Sequence, residues 1–178
     1  MAQNLQDIPE SGDIFIDTNV LVYLHGRPLP PEAKKYNKQV AYSAAIGSLL
    51  RNKRTLVTTW LGVMEVLHVH ERHMFEEYKS LSTQHSLSRK DYRRNLEERA
   101  RVQAELKRIL REIKAYYLII PTDPAETPID QFVNTYTNHT YDPNDFIMIE
   151  SATNCGVKDA ITDDSDFHSD TRLTVYTY

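Results

Sequence analysis

The chain has 178 residues, 26% of them charged and 40% hydrophobic, and a formal net charge of −4 at pH 7. This is an ordinary globular composition: no apolar run approaches the ~20 residues of a membrane span, and the polar, acidic stretch 1–10 lacks the basic and apolar regions of a signal peptide. One cysteine, Cys155, excludes an internal disulfide, so a cytoplasmic, single-domain protein with a substantial core is expected.

Residues 1–12 read as a loose leader. Ile14-Phe15-Ile16 is short, β-branched and aromatic, as a buried strand should be, and it stops on Asp17. A short helix over 18–24 follows and ends at the glycine and three prolines of 26–31. A second helix is predicted over 35–52, with Val40, Ala44, Ile46, Leu49 and Leu50 as apolar positions. A strand over 55–58 leads into a helix over 59–79.

That third helix carries Glu65, His68, His70 and His73, which together invite a zinc reading. Their spacing is not His-Glu-x-x-His and no cysteine accompanies them, so surface histidines are expected. Residues 80–88 read as a loop. A long helix over 88–115 has an apolar stripe at Leu96, Ala100, Gln103, Leu106, Leu110 and Ile113. A strand over 117–120 ends at Pro121, and a short helix follows over 129–137.

Asp142 is a good N-cap and Pro143 a good first residue for a helix that ends near Gly156, a natural residue just past a helix end. Within it, the neighbours of Cys155 point to a small packed side chain, and no cysteine-enzyme signature surrounds it. A strand over 159–162 stops at Asp163-Asp164-Ser165-Asp166-Phe167. A last strand over 173–176 is expected at an edge. Strands alternating with helices imply an α/β fold with a mostly parallel sheet between helical layers.

Charge is distributed unevenly. Residues 89–114 contain ten Lys/Arg against five Asp/Glu, a local balance of +5, so the remainder carries −9. A basic face for a polyanion beside an acidic site would look like this, and so would a solvated helix with many i,i+4 ion pairs.

The acids sit where an open parallel sheet places its sites, at the carboxyl ends of strands. Asp17 and Asp163-Asp164 end strands; Glu65 and Asp145 lie in early turns of helices that start at the same edge. Glu65 interrupts an apolar run, which is costly unless compensated. Four carboxylates in one pocket require a cation, and an oxygen-only ligand set suits Mg²⁺ or Mn²⁺. The plainer alternative is a set of helix caps and surface acids that never meet.

Four segments resemble the PIN-domain nucleases: Ile14-Phe15-Ile16-Asp17-Thr18-Asn19-Val20-Leu21; Glu65-Val66-Leu67; Asp145-Phe146-Ile147-Met148-Ile149-Glu150-Ser151-Ala152 with Gly156; and Ile161-Thr162-Asp163-Asp164-Ser165-Asp166-Phe167. The resemblance runs from residue 13 to 167. It implies a PIN-like three-layer fold and a metal site of Asp17, Glu65, Asp145 and Asp164, with Asp166 as a fifth acid. Thr18, Asn19 and Thr162 would shape the site, Asn19 by bonding a carboxylate and Thr162 by orienting neighbouring acids. Members are typically Mg²⁺- or Mn²⁺-dependent ribonucleases, and many are toxins of type II toxin–antitoxin systems, held by a cognate antitoxin and often dimeric. This chain is longer, chiefly over the helical stretch 68–115. Asp142 competes with Asp145, and Asp163 with Asp164; the family spacing favours Asp145 and Asp164.

The expectation is thus a metal-dependent endoribonuclease hydrolysing RNA phosphodiester bonds. Arg93, Arg94, Arg101, Lys107 and Arg108 would contact phosphates, a sequence-blind contribution. The alternative is a non-catalytic RNA- or protein-binding module on the same fold, which would lack acids that this chain has. A hydrolase with an aspartyl nucleophile would need a second Asp at position 19, which is Asn.

Overall fold

The computed structural model describes residues 2–81, 87–122 and 129–178. Among these, the strands β1 (Gln3–Asn4), β2 (Ile14–Ile16), β3 (Leu56–Thr59), β4 (Tyr117–Ile120), β5 (Asp159–Ile161) and β6 (Thr174–Thr177) form one sheet. Their order is β1-β6-β5-β2-β3-β4, and every pairing is parallel. The helices are α1 (Thr18–His25), α2 (Tyr36–Arg51), α3 (Trp60–Leu81), α4 (Arg89–Arg94), α5 (Leu96–Tyr116), α6 (Ile129–Tyr136) and α7 (Pro143–Asn154). No helix among the described residues is long and apolar enough to cross a membrane.

Strand alternation sorts the core into two layers. Ile14, Ile16, Leu56, Tyr117, Ile161 and Tyr176 face one side, against α1, α2, α3 and α5. Phe15, Val57, Ile120, Ala160 and Val175 face the other, against Phe146, Met148, Ile149 and Ala152 of α7. Both faces of the sheet are covered, which is why its strands read as continuous apolar runs. A third cluster, Met74 and Phe75 of α3 with Tyr92 of α4 and Val102 of α5, gives the helical arm its own small core.

Several expectations are corrected. The stretch 1–12 is not all loose: Gln3 and Asn4 pair with Tyr176 and Thr177, so β1 is the edge strand and β6 lies inside it. The helix expected over 88–115 is two helices. Asn95 takes an extended backbone and its side chain accepts from the N–H groups of Glu97 and Glu98 at 3.1 and 3.2 Å, which starts α5 afresh. The buried face of α5 is Glu98, Val102, Ile109 and Ile113, whereas Leu96 is 85% exposed.

Cys155 is exposed as the C-cap of α7, not packed. Gly156 follows it with φ +82°, a backbone that only glycine adopts without strain, so the helix ends where expected. Ser80 and Leu81 belong to α3, and most of the loop expected over 80–88 lies outside the described residues. On α2, Tyr42, Ile46 and Leu49 are core residues.

Candidate active site

Strand β2 leads to β3 on one side and pairs with β5 on the other, so the chain reverses its winding direction at β2. Such a switch point leaves a crevice at the carboxyl ends of the two strands. Ile16 pairs with Ile161, and the N–H of Asp17 donates to the Ile161 carbonyl at 3.1 Å, which sets Asp17 level with Thr162. Asp17 also caps α1, its Oδ1 accepting from the Thr18 N–H at 2.6 Å. Cap and site acid are therefore the same carboxylate.

Strand β3 runs straight into α3, which carries Glu65. Gly62 lets α3 approach closely: a Cβ there would lie 3.2 Å from Thr18 Oγ1 and 3.3 Å from the hydroxyls of Thr58 and Thr59. From the opposite layer, α7 begins with Asp142 as N-cap, its Oδ1 accepting from Asn144 and Asp145 N–H groups at 2.7 and 3.0 Å.

Asp17, Glu65, Asp142, Asp145 and Asp164 consequently line one cleft of about 600 Å³, together with Thr18 and Asn19. Hydroxyls and amides position the acids. Thr162 Oγ1 donates to Asp17 Oδ2 at 2.6 Å and accepts from the Asp164 N–H at 2.9 Å and from Asn19 Nδ2 at 3.3 Å. Thr18 Oγ1 donates to Glu65 Oε2 at 2.9 Å, and Asn144 Nδ2 donates to Glu65 Oε1 at 3.0 Å. The expectation that Asn19 bonds a carboxylate is corrected: among the described residues its Nδ2 donates to Thr162 Oγ1 and its Oδ1 accepts from the Asp163 N–H at 3.0 Å, so it holds the β5 loop in place.

The electrostatics are those of crowded acids. Burial, then the neighbouring Asp164 and Glu65, pushes the Asp17 carboxyl up to about 6 despite its two donors. Asp145 is pushed further, to about 8, by burial and by Asp142, Asp17, Asp164 and Glu65 in turn. Among the described residues, no three His, Cys, Asp or Glu side chains form a finished ligand cage for a metal ion. The donor chemistry nonetheless fits a hard cation. All the groups are oxygen donors whose mutual repulsion a positive ion relieves, and Mg²⁺ keeps several waters and needs only one or two carboxylates.

Of the paired alternatives, Asp163 and Asp164 separate in space, whereas Asp142 and Asp145 do not. Asp164 lines the cleft. The Asp163 carboxylate instead turns to α1 and α2, where it accepts from Lys38 Nζ at 2.6 Å, Tyr23 at 3.1 Å and Tyr42 at 3.2 Å. Asp145 and Asp142 both line the cleft, but Asp142 is occupied as a cap. Asp166 is exposed and outside the cleft lining; its N–H donates to Asp164 Oδ1 at 2.9 Å.

Most of the candidate phosphate contacts are ion-paired. Arg93 meets Glu71 at 2.9 Å, Arg94 meets Asp91 at 3.8 Å, and Arg101 meets Glu77 and Glu98 at 3.4 and 3.6 Å. Arg108 bonds Glu105 at 2.7 Å and also Glu112, whereas Lys107 makes no ion pair among the described residues. His68 and His73 are exposed as expected, but His70 is buried, with no hydrogen-bond partner for its Nε2 among the described residues.

Sequence reading missed Asn144 and the Lys38–Tyr42 pair, and it missed the cations Arg27, Lys35 and Arg72 at the cleft. Lys38 and Tyr42 stand one helical turn apart, a spacing that marks a shared target. Nothing local to Asn144 or Arg72 signals a partner distant in sequence.

The Thr162 hydroxyl bonds Asp17, Asn19 and Asp164, which makes it testable. Thr162→Val is expected to destabilise the protein by about 1–3 kcal/mol, because a buried carboxylate oxygen and an N–H lose their partner together. Urea unfolding at neutral pH reads this directly. A change within error of zero would show that the hub is dispensable.

The sequence matches no protein-family profile and no curated protein. Among solved structures it is similar to a chain of VapBC2 from Rickettsia felis, crystallised bound to a DNA fragment from their promoter. The TM-score is 0.51 and the identity 15%, over 93% of this chain and 98% of that one. With its all-parallel six-stranded sheet between helical layers, the chain has a PIN-like α/β fold.

Proposed function

We propose that this chain is a Mg²⁺- or Mn²⁺-dependent endoribonuclease of the toxin-like PIN type, hydrolysing RNA phosphodiester bonds. The observation that carries the reading is the convergence of Asp17, Glu65, Asp142, Asp145 and Asp164 on one cleft. Helix capping accounts for Asp17 and Asp142 but not for Glu65 or Asp145, and burial together with the neighbouring acids pushes the Asp145 carboxyl up to about 8. The fold likeness to a chain of VapBC2 supports a nuclease in broad terms, and a cognate antitoxin as a partner.

Asp17, Glu65, Asp145 and Asp164 would hold the ion. When bound, it supplies a polarised phosphoryl oxygen and a water acidic enough to ionise near neutral pH. The chain's own groups prepare the geometry. Thr162 fixes Asp17 and the Asp164 backbone; Thr18 and Asn144 clamp the two oxygens of Glu65; Asp166 steadies Asp164 through its N–H. Arg27, Lys35 and Arg72 line the same cleft and offer charge to the phosphates flanking the cut.

The test is incubation of a mixed single-stranded RNA pool with the purified protein in Mg²⁺, Mn²⁺ or EDTA, alongside Asp17→Asn. Cleavage that needs the ion and is absent in the variant is expected. Equal cleavage by the folded variant would overturn the mechanism, and a protein that neither cleaves RNA nor binds the ions would be a binding module instead.

A further inference from the structure

Beside the acid cleft lies a second cavity of about 610 Å³, between α3 and α5, lined by Arg27, His73, Arg101, Arg108 and Arg111 and by one acid, Glu105. Arg27 and His73 line both spaces, so cleft and cavity adjoin at these side chains and together make a trough along the surface. The five acids line the first space, whereas Arg101, Arg108 and Arg111 line only the second. Arg27, Arg101 and Arg108 are partly neutralised by Glu77, Glu98, Glu105 and Glu112, which fixes their side chains along the wall. Arg111 is exposed and makes no ion pair among the described residues.

We infer that this trough is the track for a single-stranded RNA on one side of the cut, with Arg111 as a backbone-phosphate contact at its far end. The choice of occupant rests on the nuclease reading. An acid cleft repels a polyanion, so the strand must be held by charge supplied next to it, and the trough supplies that charge in line with the cleft. Three of the five basic side chains, Arg101, Arg108 and Arg111, come from α5, so the helical arm is a substrate-binding element.

The experiment measures fluorescence anisotropy of a labelled oligouridylate dodecamer with the full chain in EDTA, where no cleavage occurs. Arg111→Gln is compared with Lys158→Gln, an exposed cation just before β5, at the opposite end of the sheet from the cleft. Arg111→Gln is expected to weaken binding about three- to tenfold at about 50 mM salt and to reduce the slope of log K against log salt by about 1. Lys158→Gln should match the wild type. Equal affinities for the two variants, or no binding by the wild type, would overturn the track. Binding of poly-glutamate that depends on Arg111, with no binding of RNA, would overturn it too and assign the trough to an acidic protein. Metal-dependent cleavage with Arg111-independent binding removes this inference alone. Arg111-dependent binding without cleavage keeps the track and removes the nuclease.

Discussion

Replacing Asp145 by asparagine is expected to stabilise the metal-free protein while removing its cleavage activity. The Asp145 carboxyl faces Asp142, Asp17, Asp164 and Glu65, and burial adds to their repulsion. Among the described residues no side-chain or backbone donor compensates it, since its hydrogen bond to Asp142 is made by its own N–H. An amide keeps the shape and drops the charge. Near pH 9, where the wild-type carboxyl is ionised, the gain should be about 1–3 kcal/mol once screening in a partly solvated cleft is allowed for. For a chain of this size that is a melting-temperature rise of roughly 2–10 °C. Near pH 6 the folded carboxyl is neutral while the unfolded one is ionised, so the gain should be about half as large, and it should vanish only below about pH 4. Loss of one ion-holding oxygen should lower cleavage on the order of a hundredfold or more. A site that is destabilised for the sake of its chemistry behaves in this way. An Asp145→Asn protein less stable than wild type at pH 9 would mean that the carboxylate is held by contacts rather than strained against its neighbours.

Legibility from sequence follows the range of the interactions concerned. Asp17 is found because its signals are local: three apolar residues of alternating face, then a capping acid. Asp164 and the cap at Asp142 are readable for the same reason. The division of α4 from α5 is not, because Asn95 leaves the charge and apolar periodicity intact while its side chain captures the N–H groups of Glu97 and Glu98. The apolar stripe through Leu96 misleads because α5 carries two partly apolar faces, and only packing against α3 decides which is buried. Strand β1 is two residues long and exists only because β6 offers a free edge. Asn144 on Glu65 and Lys38 on Asp163 span 79 and 125 residues, distances at which a single sequence holds no pairing signal.

The same crowding makes the stability of the metal-free protein fall with rising pH, in a window that other groups leave clear. Asp17 and Asp145 titrate at about 6 and about 8 in the fold against an ordinary 3.8. Between those values the folded chain holds protons that the unfolded chain has released, so stability is lost as pH rises. The ion-paired acids Glu71, Glu105 and Glu112 are shifted down, so their stabilisation is complete well before neutrality. His25, His70 and His73 are pushed down by burial from 6.5, so they add stability as pH rises toward neutrality and no more above it. From about pH 7 to 9 the loss therefore belongs to Asp145 and should amount to about 1–2 kcal/mol. Saturating Mg²⁺ or Mn²⁺ should flatten this decline, because the cation takes the place of the proton, and its apparent affinity should rise with pH up to about 8 as protons are released. Thermal melts with and without the ion, and calorimetric titration in buffers of different ionisation heat, measure the two halves of this linkage. If the decline persists unchanged under saturating ion while RNA is still cleaved, the ion binds away from Asp145, and the ligand set contracts to Asp17, Glu65 and Asp164.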